Sequence, residues 1–166
     1  MTLFTEIQRF NQWWMQLINF SVLGILVFFF YRWYVLGKAV DKVKPDDFYG
    51  QAVVSGSLIF AFALIYLFSL RTKIDENGIH YRFIPFHLNF KKISWYNVQE
   101  CYIREYSPIS EYGGWGIKIV PSKNSKAYTT KGTMGIQVVL KNGENILVGT
   151  QKSDEAQNII NRYFKT

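Results

Sequence analysis

The sequence predicts a membrane α-helical hairpin followed by an all-β domain that a C-terminal helix closes. Three observations predict it. Two apolar runs, residues 17–36 and 52–70, each approach the ~20 residues a helix needs to cross a bilayer. From residue 71 the pattern turns to period-2 segments bounded by Gly, Pro and Asn clusters. Over residues 153–164 the apolar spacing becomes helical again. The expected division is residues 1–70 for the membrane part and 71–166 for the β domain, the latter long enough for one small core.

Ahead of the first run, Leu3, Phe4, Ile7, Phe10, Trp13 and Trp14 recur three or four residues apart, with Glu6, Arg9 and Gln12 between them. That spacing predicts an amphipathic helix lying in the interface or extending the span. The first span, about 13–36, has Trp13 and Trp14 at one end and Tyr31, Trp33 and Tyr34 at the other, as headgroup-level aromatic belts do. From Trp14 to Tyr31 is about 26 Å of helix, close to the ~30 Å hydrocarbon core. Arg32 then falls where a long side chain reaches water. A cleaved signal peptide fits poorly. Only Glu6 and Arg9 are charged ahead of the run, the run is too long, and no small-x-small site follows.

The second span, about 51–70, holds Ala52, Gly56, Ser57 and Ala61, small residues four apart. Such faces allow close approach, here toward Ser21 and Gly24 of the first span or toward a second copy of the chain. The polar stretch 37–51 permits only an antiparallel hairpin, so both termini share one side. Lys and Arg flank the spans almost evenly, and charge bias does not choose that side.

In the β domain, residues 72–76 and 79–84 flank Asn77-Gly78, and residues 134–140 and 145–149 flank Asn142-Gly143. Asn-Gly is a hairpin-turn signal because both residues tolerate positive φ. Further strands are expected near 88–93, 98–106, 115–120 and 126–130, giving about seven or eight antiparallel strands. Ser153 is the expected N-cap of the last helix, with Asp154 and Glu155 in its first turn. Ala156, Ile159, Ile160, Tyr163 and Phe164 form its apolar stripe.

The stretch Glu111-Tyr112-Gly113-Gly114-Trp115-Gly116-Ile117 is followed by Ala127-Tyr128-Thr129, then by 132–135, Val138-Val139-Leu140, Asn142-Gly143 and Gly149-Thr150-Gln151. In order and spacing this resembles bacterial pleckstrin-homology-like (PH-like) domains, over roughly residues 72–164. The resemblance implies a bent seven-stranded barrel or sandwich with the last helix capping one open end. It also implies a domain facing the cytosol, hence a multi-pass protein of the cytoplasmic membrane with both termini cytoplasmic.

Six of the seven net positive charges lie beyond residue 70. Specific phosphoinositide recognition is not expected. Lys73 and Arg82 sit on the strands that phosphoinositide-binding PH domains use, but the connection is a tight turn beside Asp75 and Glu76. Weaker contact with anionic lipid through Arg71, Lys73, Lys91 and Lys92 is the better lipid reading, weighed against a merely solvated basic face. Gly113, Gly114 and Trp115 read as a partner loop with an aromatic anchor, or structurally as glycines shaping a bulge while Trp115 fills the core. The structural reading is preferred. Lys123, Lys126 and Lys131 suit a solvated loop, and a nucleic-acid patch would need denser charge interleaved with aromatics.

Catalysis finds little support. His80 and His87 are the only histidines, and neither metal-ligand spacing nor a phosphate or dinucleotide loop is present. The lone Cys101 precludes an internal disulfide and reads as a small apolar strand residue rather than a nucleophile. No cofactor is implied. The expected function is a non-enzymatic scaffold or protein-interaction domain held at the membrane, with an unidentified membrane or cytosolic protein as partner. The alternative is a small oligomeric transporter or channel subunit.

Overall fold

A computed structural model describes residues 4–164. The chain forms two compact units, one of Asn11–Leu67 and one built from the residues up to Phe10 together with those from Phe68 onward. This division differs from the expected 1–70 and 71–166. The helical hairpin is an insertion between two neighbouring strands of one sheet.

In the helical unit, α1 (Trp13–Phe30) runs on into a π-helical turn, Tyr31–Val35, and α2 spans Phe48–Leu67. The helices are antiparallel: Tyr66 donates to Gln16 at one end (3.1 Å), and Tyr34 to Gln51 at the other (2.7 Å). Asn19, Leu26 and Trp33 are buried on one side of the first helix, and Gln51 begins the seam on the second. A loop closes the far end. Arg32 donates to the Ala39 carbonyl, Trp33 to that of Val43, and Gln51 to those of Lys44 and Pro45. These bonds satisfy carbonyls that the end of a helix and an irregular loop leave open. The small residues do not mediate the hairpin seam. Ala52, Gly56, Ser57 and Ala61 are exposed, and a Cβ added at Gly24 or Gly56 meets nothing within 4 Å. Both helices are long and apolar enough to cross a membrane, and only 6% and 11% of their apolar stretches is buried.

The β unit has two sheets. The first is ordered β1 (Phe4–Arg9), β2 (Ser69–Asp75), β3 (Gly78–Ile84), β4 (Lys91–Ser94), all antiparallel. The second contains β5 (Val98–Glu105), β6 (Gly116–Val120), β7 (Ser125–Thr129), β8 (Met134–Leu140) and β9 (Asn145–Gly149), in the order β5-β8-β9-β7-β6. A short helix α3 (Pro108–Tyr112) lies between β5 and β6, and α4 (Ser153–Tyr163) follows β9. Leu70, Ile74, Ile79, Phe83, Ile136, Val138 and Val148 fill the space between the sheets, and Ala156 and Ile160 of α4 join them.

Four sequence expectations change. Residues 4–9 form an edge strand, not an amphipathic helix; Leu3 lies outside the described residues. Phe4, Glu6 and Gln8 make a poor inward stripe by hydropathy, yet they are the buried positions and Thr5, Ile7 and Arg9 the exposed ones. Glu6 accepts from Thr150 Oγ1 (2.7 Å) and the Gln151 N–H (2.8 Å), while Gln8 donates to the Gly149 carbonyl and accepts from Thr130. Buried polar groups are tolerated when paired in this way. Second, β7 and β9 are parallel. The Asn142-Gly143 hairpin lays β9 against β8, and β7 takes the remaining edge of β9 in the same direction. Third, only the glycines of the two Asn-Gly pairs take positive φ, at 145° for Gly78 and 80° for Gly143. A Cβ at Gly78 would collide with the Ile93 carbonyl. The carboxamide of Asn142 instead accepts from the Glu144 N–H, as in an Asx turn. Finally, Ser153 is the first residue of α4 rather than its cap; Lys152 holds the cap position, with no side-chain capping bond.

Candidate functional site

Strand parity decides which side chains share the outer face of the first sheet. Leu70, Thr72 and Ile74 point inward, so Arg71 and Lys73 point out; Tyr81 and Phe83 point inward, so His80 and Arg82 point out. Register then sets Ile7, Arg71 and Arg82 in one row, and Thr5, Lys73, His80 and Lys92 in another. Arg9 ends the exposed side of β1. Arg71, Lys73 and Lys92 of the four expected lipid-contacting residues are therefore brought together, with Arg9 and Arg82 added. Lys91 is not. It stands opposite Tyr81 and borders a cleft of about 410 Å³ with Asn97, Lys126 and Glu144, because consecutive strand residues face opposite ways.

Phe90 lies between two of these cations, 4.9 Å from Lys73 Nζ and 4.9 Å from the Arg82 guanidinium carbon. Arg71 and Arg82 are directly cross-strand, an arrangement that is destabilising for like charges. Their Nε atoms are shielded from solvent and have no hydrogen-bond partner among the described residues. Apart from the buried Glu6, the acids of this sheet and its turns are Asp75 and Glu76, at the β2–β3 turn. Burial pushes the Asp75 carboxyl up, but the Asn77 N–H and His80, 3.1 Å away, outweigh it and hold it below the usual range. The face is thus a cationic surface.

The other expected positions make contacts within their own unit. Gly113 caps α3 with φ 68°, and Gly114 and Gly116 have φ 114° and 119°, so the run turns the chain into β6. The half-buried Trp115 donates its indole N–H to the Gly132 carbonyl at 2.9 Å. Cys101 packs on the core, and burial pushes its thiol up to about 12, which removes thiolate character. His80 pairs with Asp75, and His87 accepts the Phe83 N–H through Nδ1. Among the described residues no three His, Cys, Asp or Glu side chains converge to hold a metal.

A second cleft of about 300 Å³ lies on the outer face of the second sheet under α3. Arg104 is its centre. It donates to Gln137, to both carboxylate oxygens of Glu111 and to Tyr112. No local pattern pairs Glu111 with Arg104: the geometry of the intervening loop and of α3 aims the two together. What sequence reasoning missed on the first sheet is Arg9, hidden by the helical spacing of residues 3–14.

No curated protein matches the chain. A family model described as "Family of unknown function (DUF6141)" matches residues 2–161, a stretch that takes in the helical hairpin and both sheets, and the chain belongs to that family.

Proposed function

We propose that this protein is a non-enzymatic interaction module anchored in the cytoplasmic membrane, with its β unit facing the cytosol. The observation that carries the reading is the insertion of an exposed apolar helical hairpin between β1 and β2. Residues 10–12 link β1 to α1, and Phe68 alone links α2 to β2. Each helix therefore continues into its strand through a short link, of at most about 14 Å from Arg9 to Trp13 and about 7 Å from Leu67 to Ser69. Tethering concentrates whatever the module binds at the membrane.

The PH-like reading is supported by the two packed sheets and by α4 closing the core. The N-terminal edge strand and the parallel β7–β9 pair are additions to that pattern. The cationic outer face of the first sheet favours an anionic partner surface.

Membrane placement and sidedness are tested on the full chain with Cys101→Ala as background. Lys44→Cys and Lys123→Cys are exposed to a membrane-impermeant maleimide in intact cells. Labelling at 44 and protection at 123 are expected. The reverse pattern overturns the cytosolic assignment, and release of the protein by alkaline carbonate overturns the anchor.

A further inference from the structure

We infer that the loop over residues 85–90 enters the lipid interface of an anionic bilayer, with Phe86 and Leu88 as the inserted side chains and the arginines of the first sheet facing headgroup phosphates. This deepens the anchored reading above and rests on it.

Topology places the loop. Arg9, Ser69 and Ile84 form one row across the first sheet, at the end where β1 stops and β2 starts. Both helices leave the sheet from this end, α2 with only Phe68 between. Strand β3 runs the other way from β2, so it delivers residues 85–90 to the same end. If the helices cross a bilayer, two Cα steps of chain, at most about 7 Å, separate this row from the last residue of α2.

The loop is built to present its apolar groups. The Phe83 N–H donates to His87 Nδ1 (3.2 Å), the His87 N–H to the Phe83 carbonyl (2.8 Å), and Arg82 Nη1 to the Leu88 carbonyl (3.2 Å). Held this way, Leu88 is 85% exposed and Phe86 64% exposed. Phe86 also stacks loosely on Phe68, ring centroids 5.9 Å apart, and Phe68 meets Phe10 at 6.2 Å. Phe10 and Phe68, the link residues next to the strands, are thus fixed to the sheet end that carries the loop. A lone exposed Leu needs no explanation. Two large apolar side chains on one braced loop, at the end of the sheet joined to the spans, are a different observation.

Charge follows the same axis. Arg9, Arg71 and Arg82 lie toward the loop end, and Asp75 and Glu76 at the opposite turn. Basic groups beside an anionic surface are attracted to it, and acids are repelled. A headgroup phosphate would meet the outward guanidinium groups of Arg71 and Arg82 and relieve their cross-strand repulsion.

The test uses full-length protein in vesicles, with Cys101→Ala as background and a fluorophore on a single cysteine from Leu88→Cys or Asn77→Cys. Lipids brominated in the acyl chains quench by contact. Loss of fluorescence at 88 and none at 77 is expected in vesicles containing phosphatidylglycerol. An unquenched probe at 88, in protein that resists carbonate extraction, overturns the inference and leaves the anchor standing. Extraction by carbonate overturns the anchored reading itself. Quenching at 88 is expected to weaken in the Arg71→Gln protein, which keeps the Arg82 brace on the Leu88 carbonyl; equal quenching with and without Arg71 overturns the headgroup contact.

Discussion

The outer faces of the two sheets treat their arginines in opposite ways. On the second sheet, Arg104 spends its donors on Gln137, Glu111, Tyr112 and the Glu105 carbonyl, and α3 covers it. On the first sheet, Arg71 and Arg82 stand opposite each other with unpartnered Nε atoms and no carboxylate between them. The same residue type is a structural clamp in one layer and an available cation in the other. What separates them is whether the chain supplies the anion: Glu111 is held within reach of Arg104, whereas Asp75 is committed to His80.

The comparison breaks most visibly at Arg104. Arg104→Met leaves the Glu111 carboxylate and the Gln137 carbonyl without their donor in a part-buried cleft, and the loss of stability is expected to be about 3 kcal/mol. Thermal scanning of the purified full chain in detergent measures it; an unchanged midpoint would remove the clamp interpretation. Glu6→Ala is expected to cost about 2 kcal/mol, because Thr150 Oγ1 and the Gln151 N–H lose a buried acceptor. Urea titration of the same protein reads it, and a smaller effect than that of Thr5→Ala on the exposed side of β1 would contradict the edge-strand pairing.

The first sheet should respond inversely. Arg71→Gln relieves a like-charge pair, so folding stability is expected to stay level or rise by up to about 0.5 kcal/mol. Attraction to anionic vesicles is expected to fall by about 1 kcal/mol per charge, roughly fivefold. Flotation of detergent-free proteoliposomes does not report this, since the chain is anchored. Salt-dependent protection of the loop probe from aqueous quencher does, and protection insensitive to both salt and substitution counts against the available-cation assignment.

Sequence reasoning reaches some of this contrast and misses the rest for definable reasons. The two helices are legible from apolar length, eight strands from alternation and turns, and α4 from its stripe. Strand β1 is not, because its inward residues Glu6 and Gln8 are polar and their partners lie beyond residue 129, while Ile7 is apolar and exposed. The parallel β7–β9 pair is fixed by sheet order, which local pattern does not encode. The cationic face is half legible: Arg71, Lys73 and Lys92 align once register is known, and Lys91 drops out because adjacent strand residues face opposite ways.

The smallest expected effect is one of pH, and it acts on the loop that borders the first sheet. Nδ1 of His87 accepts the Phe83 N–H, so the ring bears its proton on Nε2 and must stay neutral to keep that bond. Burial lowers the His87 pKa, and Lys91 lowers it further, while the rings of Tyr81 and Tyr128 pack against it without supplying negative charge. Because the folded value lies below the unfolded one, near 6.5, the unfolded chain takes up the proton first. Stability from this group is full above about pH 6.5 and is lost as pH falls from there through the folded value. Asp75 and Glu111 are held low instead, so their contributions fade only as pH falls below about 4, outside this window. Between pH 7.5 and 5.5 the melting midpoint is therefore expected to drop in the native chain, with the drop smaller in His87→Gln. An equal drop in both proteins would assign the pH dependence to another group and leave the loop's bracing independent of the His87 charge.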